Sequence, residues 1–126
     1  MSLQSDPKYL VHWCHGATGA VFTFTLAFSK FGYTRYLDAA ISAGETVWEK
    51  GLLFKGPGLC HGIAGNTYAL LALYKSTRDA KYLRRAHRFA EFMGGTDFAS
   101  VRPRINRVAL LNSVTATCFE KELLSF

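Results

Sequence analysis

The chain has 126 residues, of which 49% are hydrophobic and 14% aromatic, and its formal net charge is +6. This length favours a single domain, and the apolar fraction excludes a disordered chain. With three prolines and three cysteines, the sequence is neither collagen-like nor stapled by disulfides, and the odd cysteine count indicates free or metal-bound thiols. Free thiols are typical of a reducing compartment, so we expect a cytoplasmic protein.

Hydrophobic runs such as Ala69 to Tyr74 are far shorter than the roughly 18 residues of a membrane span, which predicts a soluble chain. Ten of the 15 basic residues follow position 66, and those between Lys75 and Arg88 recur at helical spacing. We interpret them as a solvated outer helix face, and the alternative is peripheral contact with an acidic plasma-membrane surface. No base-stacking or helix-turn-helix signature accompanies the charge, so we predict no nucleic-acid partner.

An internal duplication organises the first three quarters of the chain. The triplet Cys14-His15-Gly16 recurs 46 residues later as Cys60-His61-Gly62. At this offset 8 of the 34 positions that begin with Cys14 are identical, whereas chance pairing gives about two. The sequence therefore contains two copies of one structural unit.

Each copy predicts two helices. The first helix, Gly16 to Phe31 and again Gly62 to Lys75, is apolar on nearly every side, which predicts burial. The second helix, Thr34 to Lys50 and again Arg78 to Met93, has one apolar stripe opposite a charged face, which predicts a position on the outside. Alternating inner and outer helices indicate an all-α fold of stacked helical hairpins, in an open solenoid or a closed double ring.

The repeat pattern stops near residue 96. A third triplet would fall near residue 106, where Arg104-Ile105-Asn106-Arg107 does not match it. We therefore divide the chain into a helical domain over residues 1–96 and a divergent tail over 97–126, poorly docked or disordered. Two hairpins bury little core, so we expect a fragment or shortened product of a longer chain, or a dimer that completes the core.

Both triplets directly precede an inner helix, which places Cys14, Cys60 and His61 in neighbouring loops. Adjacent helix axes lie roughly 8 to 10 Å apart, so side chains from both loops can share one ion, and two thiolates with one imidazole suit zinc. Two helix N-termini and the nearby Lys55 would lower the thiol pKa values. The alternative interpretation is that both cysteines are small buried hydrophobic residues and that Gly-x-x-Gly serves close helix packing.

The two loop motifs resemble those of the lanthionine synthetase C-like family, especially its eukaryotic members. The motifs are His12-Trp13-Cys14-His15-Gly16-Ala17-x-Gly19 and Lys55-Gly56-x-Gly58-Leu59-Cys60-His61-Gly62-x-Ala64-Gly65-Asn66. The resemblance extends from about Tyr9 to Met93. In that family the helical hairpins form a closed double ring, an α/α toroid, so the resemblance implies an incomplete portion of such a ring.

The resemblance also implies a set of site residues. The zinc ligands would be Cys14, Cys60 and His61, with a fourth position left for water or a substrate thiol, as in catalytic zinc sites. Lys55 matches a lysine that contacts bound glutathione in eukaryotic relatives. In the family's first motif only the cysteine is a ligand, so we assign His15 to helix capping or to hydrogen bonding around the metal. His12 is likewise assigned as a loop histidine with its hydrogen bonds satisfied, or as a second group that hydrogen-bonds around the metal.

The activity implied by the resemblance is addition of a thiol, from glutathione or from a peptide cysteine, to a dehydroalanine or dehydrobutyrine residue of a protein, forming a thioether. Two features depart from the family. The hairpins that supply its acid or base histidine do not occur before the first motif, and residues 100–126 resemble no part of it. Alternatives are therefore a non-catalytic zinc- and glutathione-binding protein in signalling or redox sensing, and an inactive truncated product.

Overall fold

The computed structural model describes residues 3–4, 10–53 and 56–95. Its helices are α1 (Ala17–Phe31), α2 (Thr34–Lys50), α3 (Ile63–Thr77) and α4 (Ala80–Gly94). Two strands of two residues each, β1 (Leu3–Gln4) and β2 (Leu52–Leu53), pair in parallel. The all-α class and all four predicted helices are confirmed, whereas the predicted tail over 97–126 lies outside the described residues.

Each inner helix is joined to its outer helix by a tight left-handed turn. Gly32 ends α1 with φ 71° and donates its N–H to the carbonyl oxygen of Phe28 at 2.8 Å, a frequent role of glycine at helix ends. The equivalent residue after α3 is Arg78, which has φ 58°. Arg78 therefore ends α3 instead of beginning α4, and Asp79 caps α4 by accepting the N–H of Lys81 at 2.8 Å.

The core is centred on α3. This helix packs against α1, α2 and α4, and most of its residues from Ile63 to Leu73 are buried. The prediction that both inner helices are buried on every side is wrong for α1, where Leu26 is 61% exposed. The reason is that α1 packs against α2 and α3 on one side only, while the face that carries Leu26 points away from both. Among the helices of the described residues, none combines the length and the hydrophobicity that a membrane span requires.

The outer helices α2 and α4 are amphipathic, as predicted, and their neighbouring faces are joined by charge and aromatic contacts. Glu45 of α2 binds Arg85 at 2.8 Å and Lys81 at 3.2 Å, both from α4. The hydrogen bond from Arg85, assisted by Lys81, holds the pKa of the Glu45 carboxyl below its ordinary value of 4.5. Beside this cluster the rings of Trp48 and Phe89 stack with centroids 5.7 Å apart. The two hairpins therefore stack with a defined register.

Candidate metal centre

Two loops related by the 46-residue repeat begin the inner helices. Gly16 and Gly62 are the residues that precede α1 and α3, and Gly19 and Gly65 lie three positions further on. A Cβ at Gly19 would overlap the carbonyl oxygen of Trp13, and a Cβ at Gly65 would overlap that of Leu59, its repeat equivalent. Each loop therefore folds closely onto the first turn of its own helix, which only glycine permits there.

Hydrogen bonds join the two loops to each other. The backbone N–H of Trp13 donates to the carbonyl oxygen of Cys60 at 2.9 Å. The Cys14 thiol points at the same oxygen, with Sγ 3.7 Å from it. A residue of the first loop is thereby held against the triplet of the second, although the two triplets are 46 positions apart in the sequence.

The structure brings together the three side chains that the sequence analysis nominated as metal ligands. One donor atom from each of Cys14, Cys60 and His61 lies within 4.8 Å of the other two. All three residues are exposed, so solvent and small ligands reach them. The alternative that both cysteines are buried hydrophobic residues is therefore wrong, although the close glycine packing that it included is present. The arrangement is a Cys/His group able to hold a metal ion.

Two opposing effects act on the charge of this group. The N-terminal ends of α1 and α3 both adjoin the group, and neither helix has an acidic residue in its first turn. Hydrogen bonding to the neighbouring Cys14 thiol raises the pKa of the Cys60 thiol above its ordinary value of 9.0. The prediction of a lowered thiol pKa is therefore wrong for Cys60, because the close contact with a second thiol disfavours its thiolate form. Two sulfurs so close together favour one shared proton or cation over two separate negative charges.

The other residues nominated from the sequence have different positions. His15 is exposed, and its carbonyl oxygen accepts the backbone N–H of His12 at 2.9 Å. The buried His12 ring lies edge-on to the His61 ring with centroids 6.1 Å apart. In residues 10–53 and 56–95 the only group of nearby metal-binding side chains is Cys14, Cys60 and His61, without His15. Lys55 lies outside the described residues.

A buried polar contact beneath the loops was not predicted. Asn66 of α3 accepts a hydrogen bond from the Thr18 hydroxyl of α1 at 2.5 Å and donates its amide to the carbonyl oxygen of Gly51 at 2.7 Å. Since Gly51 ends α2, one fully buried side chain near the start of α3 joins three helices. The signal in the sequence was an asparagine in the mostly apolar first half of this helix. The repeat concealed it, because the position equivalent to Thr18 is Ala64.

Comparison with known proteins gives the family. The chain matches the family model of lanthionine synthetase C-like proteins over residues 1–101. It is 54% identical over 83 residues to glutathione S-transferase LANCL1 of Danio rerio, covering 66% of this chain and 20% of that protein. It is 48% identical over 85 residues to LanC-like protein GCL1 of Arabidopsis thaliana, covering 67% of this chain and 19% of that protein. The chain thus spans about a fifth of the length of these curated relatives, and it belongs to the lanthionine synthetase C-like protein family.

Proposed function

We propose that this chain binds one zinc ion through Cys14, Cys60 and His61 and uses it to bind the thiol of glutathione. The observation that carries the proposal is the convergence of these three donor atoms within 4.8 Å from two distant loops. We propose glutathione as the bound thiol because the relative from Danio rerio is named a glutathione S-transferase.

The donor set fits zinc in number, kind and spacing. Two thiolates and one imidazole are frequent zinc ligands, and sites with three protein ligands leave a fourth position for water or substrate. Zinc–sulfur bonds of about 2.3 Å and zinc–nitrogen bonds of about 2.0 to 2.1 Å place tetrahedral ligands about 3.5 to 3.8 Å apart. The three donors lie within 4.8 Å of one another on exposed side chains, so small side-chain rotations suffice to reach that spacing.

The residues of the chain would prepare the site for a thiol. When bound, zinc would lower the pKa of an added thiol so that it is held as a thiolate. The N-termini of α1 and α3 place their partial positive charge beside this anion, and the His12 ring lies edge-on to that of His61. Lys55, nominated from the sequence, would contact a carboxylate of the tripeptide.

For full-length relatives we propose the complete reaction. The thiolate sulfur adds to the β-carbon of a dehydroalanine or dehydrobutyrine residue, the carbon–carbon double bond is lost, and the α-carbon takes up a proton, giving a thioether. In this chain all three proposed ligands are exposed, and water-filled sites stabilise developing charge poorly. This exposure favours a second candidate for the isolated chain, namely zinc and glutathione binding without turnover.

Zinc quantification on the purified full chain tests the proposal. We expect one zinc per wild-type chain and per Cys118→Ala chain, since Cys118 is the remaining cysteine, and much less zinc in Cys60→Ala. Stoichiometric zinc in Cys60→Ala would overturn the assignment. Glutathione and a dehydroalanine peptide are then added. Thioether formation supports the enzymatic function, whereas zinc and glutathione binding without conversion selects the binding function.

A further inference from the structure

The two cysteines of the Cys/His group form a close pair of free, exposed thiols. Both donor sulfurs belong to a set in which every atom lies within 4.8 Å of the others. The Trp13 to Cys60 backbone hydrogen bond also joins the two loops. A disulfide needs its sulfurs about 2.05 Å apart. Both side chains are exposed, so closing the remaining distance moves surface side chains and not buried ones.

We propose that Cys14 and Cys60 form a reversible intramolecular disulfide with small-molecule disulfides as the oxidant. One cysteine thiolate attacks the small disulfide, forming a mixed disulfide and releasing one small thiol. The second cysteine thiolate then attacks the protein sulfur of the mixed disulfide and releases the second small thiol. Both cysteine protons pass to solvent or to the leaving thiolates, the protein pair loses two electrons, and the small disulfide gains them.

The geometry favours the second, intramolecular step over accumulation of mixed disulfides. The attacking sulfur is already held within 4.8 Å of its target, so its effective concentration is far higher than that of small thiols in solution. Cys14 and Cys60 are both exposed, so a small disulfide reaches either one first. Cys14 and Cys60 therefore form a redox modification site within this chain.

Oxidation would also change the metal-binding capacity of the site, a consequence that rests on the proposed zinc binding. A disulfide removes both thiolate ligands at once and leaves only the imidazole of His61. Zinc requires deprotonated thiols, so the disulfide form lacks two of its three protein ligands. Small disulfides would then release zinc, and small dithiols would restore its binding.

Disulfide formation is tested on the metal-free full chain, with Cys118→Ser as the background so that no third thiol takes part. The reduced chain is treated with 2-hydroxyethyl disulfide, digested without reduction, and analysed by mass spectrometry. We expect a linked pair of peptides that contain Cys14 and Cys60, and an intact mass lower by two hydrogen atoms. In the added variants Cys14→Ser and Cys60→Ser we expect a stable mixed disulfide with the probe instead. Persistent mixed disulfides on both cysteines, or two unmodified thiols, would overturn the proposal.

The second arm measures zinc affinity before oxidation, after oxidation and after reduction with dithiothreitol. We expect affinity at least about tenfold weaker in the oxidised chain and full recovery on reduction. If the reduced chain binds no zinc but the linked peptides appear, the proposed function fails and the disulfide stands. If zinc binds but no linked peptides appear, the disulfide fails and the proposed function stands. Unchanged zinc affinity in an oxidised, fully linked chain would overturn the redox control of the site.

Discussion

The backbone N–H of Trp13 donates to the carbonyl oxygen of Cys60 at 2.9 Å, joining a loop of the first hairpin to a loop of the second. This bond depends on the way the hairpins stack, because neither loop contains both partners. It places Cys14, the next residue, beside Cys60 and His61. The Cys/His group therefore depends on the repeat architecture. Substitutions that disturb the packing of the two hairpins should also disturb this group.

Gly65 should tolerate no side chain. A Cβ there would overlap the carbonyl oxygen of Leu59, a backbone atom that cannot move without displacing the loop that carries Cys60. We expect Gly65→Ala to lower the free energy of unfolding by about 2 kcal/mol or more and to reduce zinc binding. Urea denaturation monitored by circular dichroism measures the first effect and metal analysis the second.

Gly94→Ala is the matched control for this substitution. Gly94 is also helical, but a Cβ there meets nothing within 4 Å. Alanine has the higher helix propensity, so the control should be unchanged or more stable by up to about 1 kcal/mol. Equal stability of the two variants would show that the loop does not pack against α3 as described.

Asn66 should be a major contributor to stability. Replacing it with alanine leaves the Thr18 hydroxyl and the Gly51 carbonyl oxygen buried without their partner. Unsatisfied buried polar groups cost about 1 to 3 kcal/mol each, so we expect Asn66→Ala to lower the free energy of unfolding by about 2 to 4 kcal/mol. Chemical denaturation gives the value.

The control for Asn66 is Thr23→Val. Thr23 is exposed on α1, and its hydroxyl donates to the carbonyl oxygen of Gly19 in the preceding turn of the same helix. Its replacement should change stability by no more than about 0.5 kcal/mol. A loss in Thr23→Val as large as in Asn66→Ala would argue against a special role for the buried contact.

The Glu45 cluster should give stability a defined pH dependence. Folding lowers the pKa of Glu45, so its contribution is complete above the ordinary value of 4.5 and disappears as the pH falls through the lower folded value. The side chains are partly solvated, so we expect Glu45→Gln to cost only about 0.5 to 1 kcal/mol at pH 7. The difference from wild type should vanish in acid.

Stability measured by urea denaturation from pH 7 down to pH 3 checks this expectation. The control is Glu91→Gln, because Glu91 is the repeat equivalent of Glu45 and is exposed on α4. Folding raises the pKa of Lys81, so that residue keeps its contribution through neutral pH and loses it only in strong alkali. Parallel pH profiles for wild type and Glu45→Gln would contradict the account.

His61 and His15 occupy equivalent positions of the repeat but should differ in metal binding. Only His61 presents a nitrogen within 4.8 Å of both sulfurs among the described residues. We expect His61→Ala to weaken zinc binding at least about tenfold and His15→Ala to change it much less, since His15 is outside the ligand set. Competition titrations with a metal-responsive chelator measure both affinities, and equal losses would contradict this assignment.

Sequence periodicity predicted what depends on local pattern and repetition. The four helices and the proximity of the two cysteine-containing triplets follow from apolar spacing and a fixed 46-residue offset. The choice of His61 over His15 as a ligand follows from the family resemblance. The exposed face of α1 was missed because apolar composition indicates burial without showing which neighbours are present.

The same approach could not find features that break the repeat. Arg78 adopts the left-handed conformation that Gly32 adopts one repeat earlier, so no glycine marks the end of α3. The Thr18 to Asn66 contact joins two positions that are not equivalent, and hydrogen bonds of this kind depend on three-dimensional packing. Repetition therefore predicts the helices that both copies share. It does not predict contacts, such as that of Thr18 with Asn66, that depend on side chains present in one copy only.

Zinc-edge X-ray absorption on the full chain, loaded with one equivalent of zinc, most directly tests whether two loops share one metal. The account predicts two sulfur neighbours at about 2.3 Å and one histidine nitrogen at about 2.0 to 2.1 Å. In Cys14→Ser and in Cys60→Ser the sulfur count should fall from two to one. A shell without sulfur, or a sulfur count unchanged by either substitution, would contradict it.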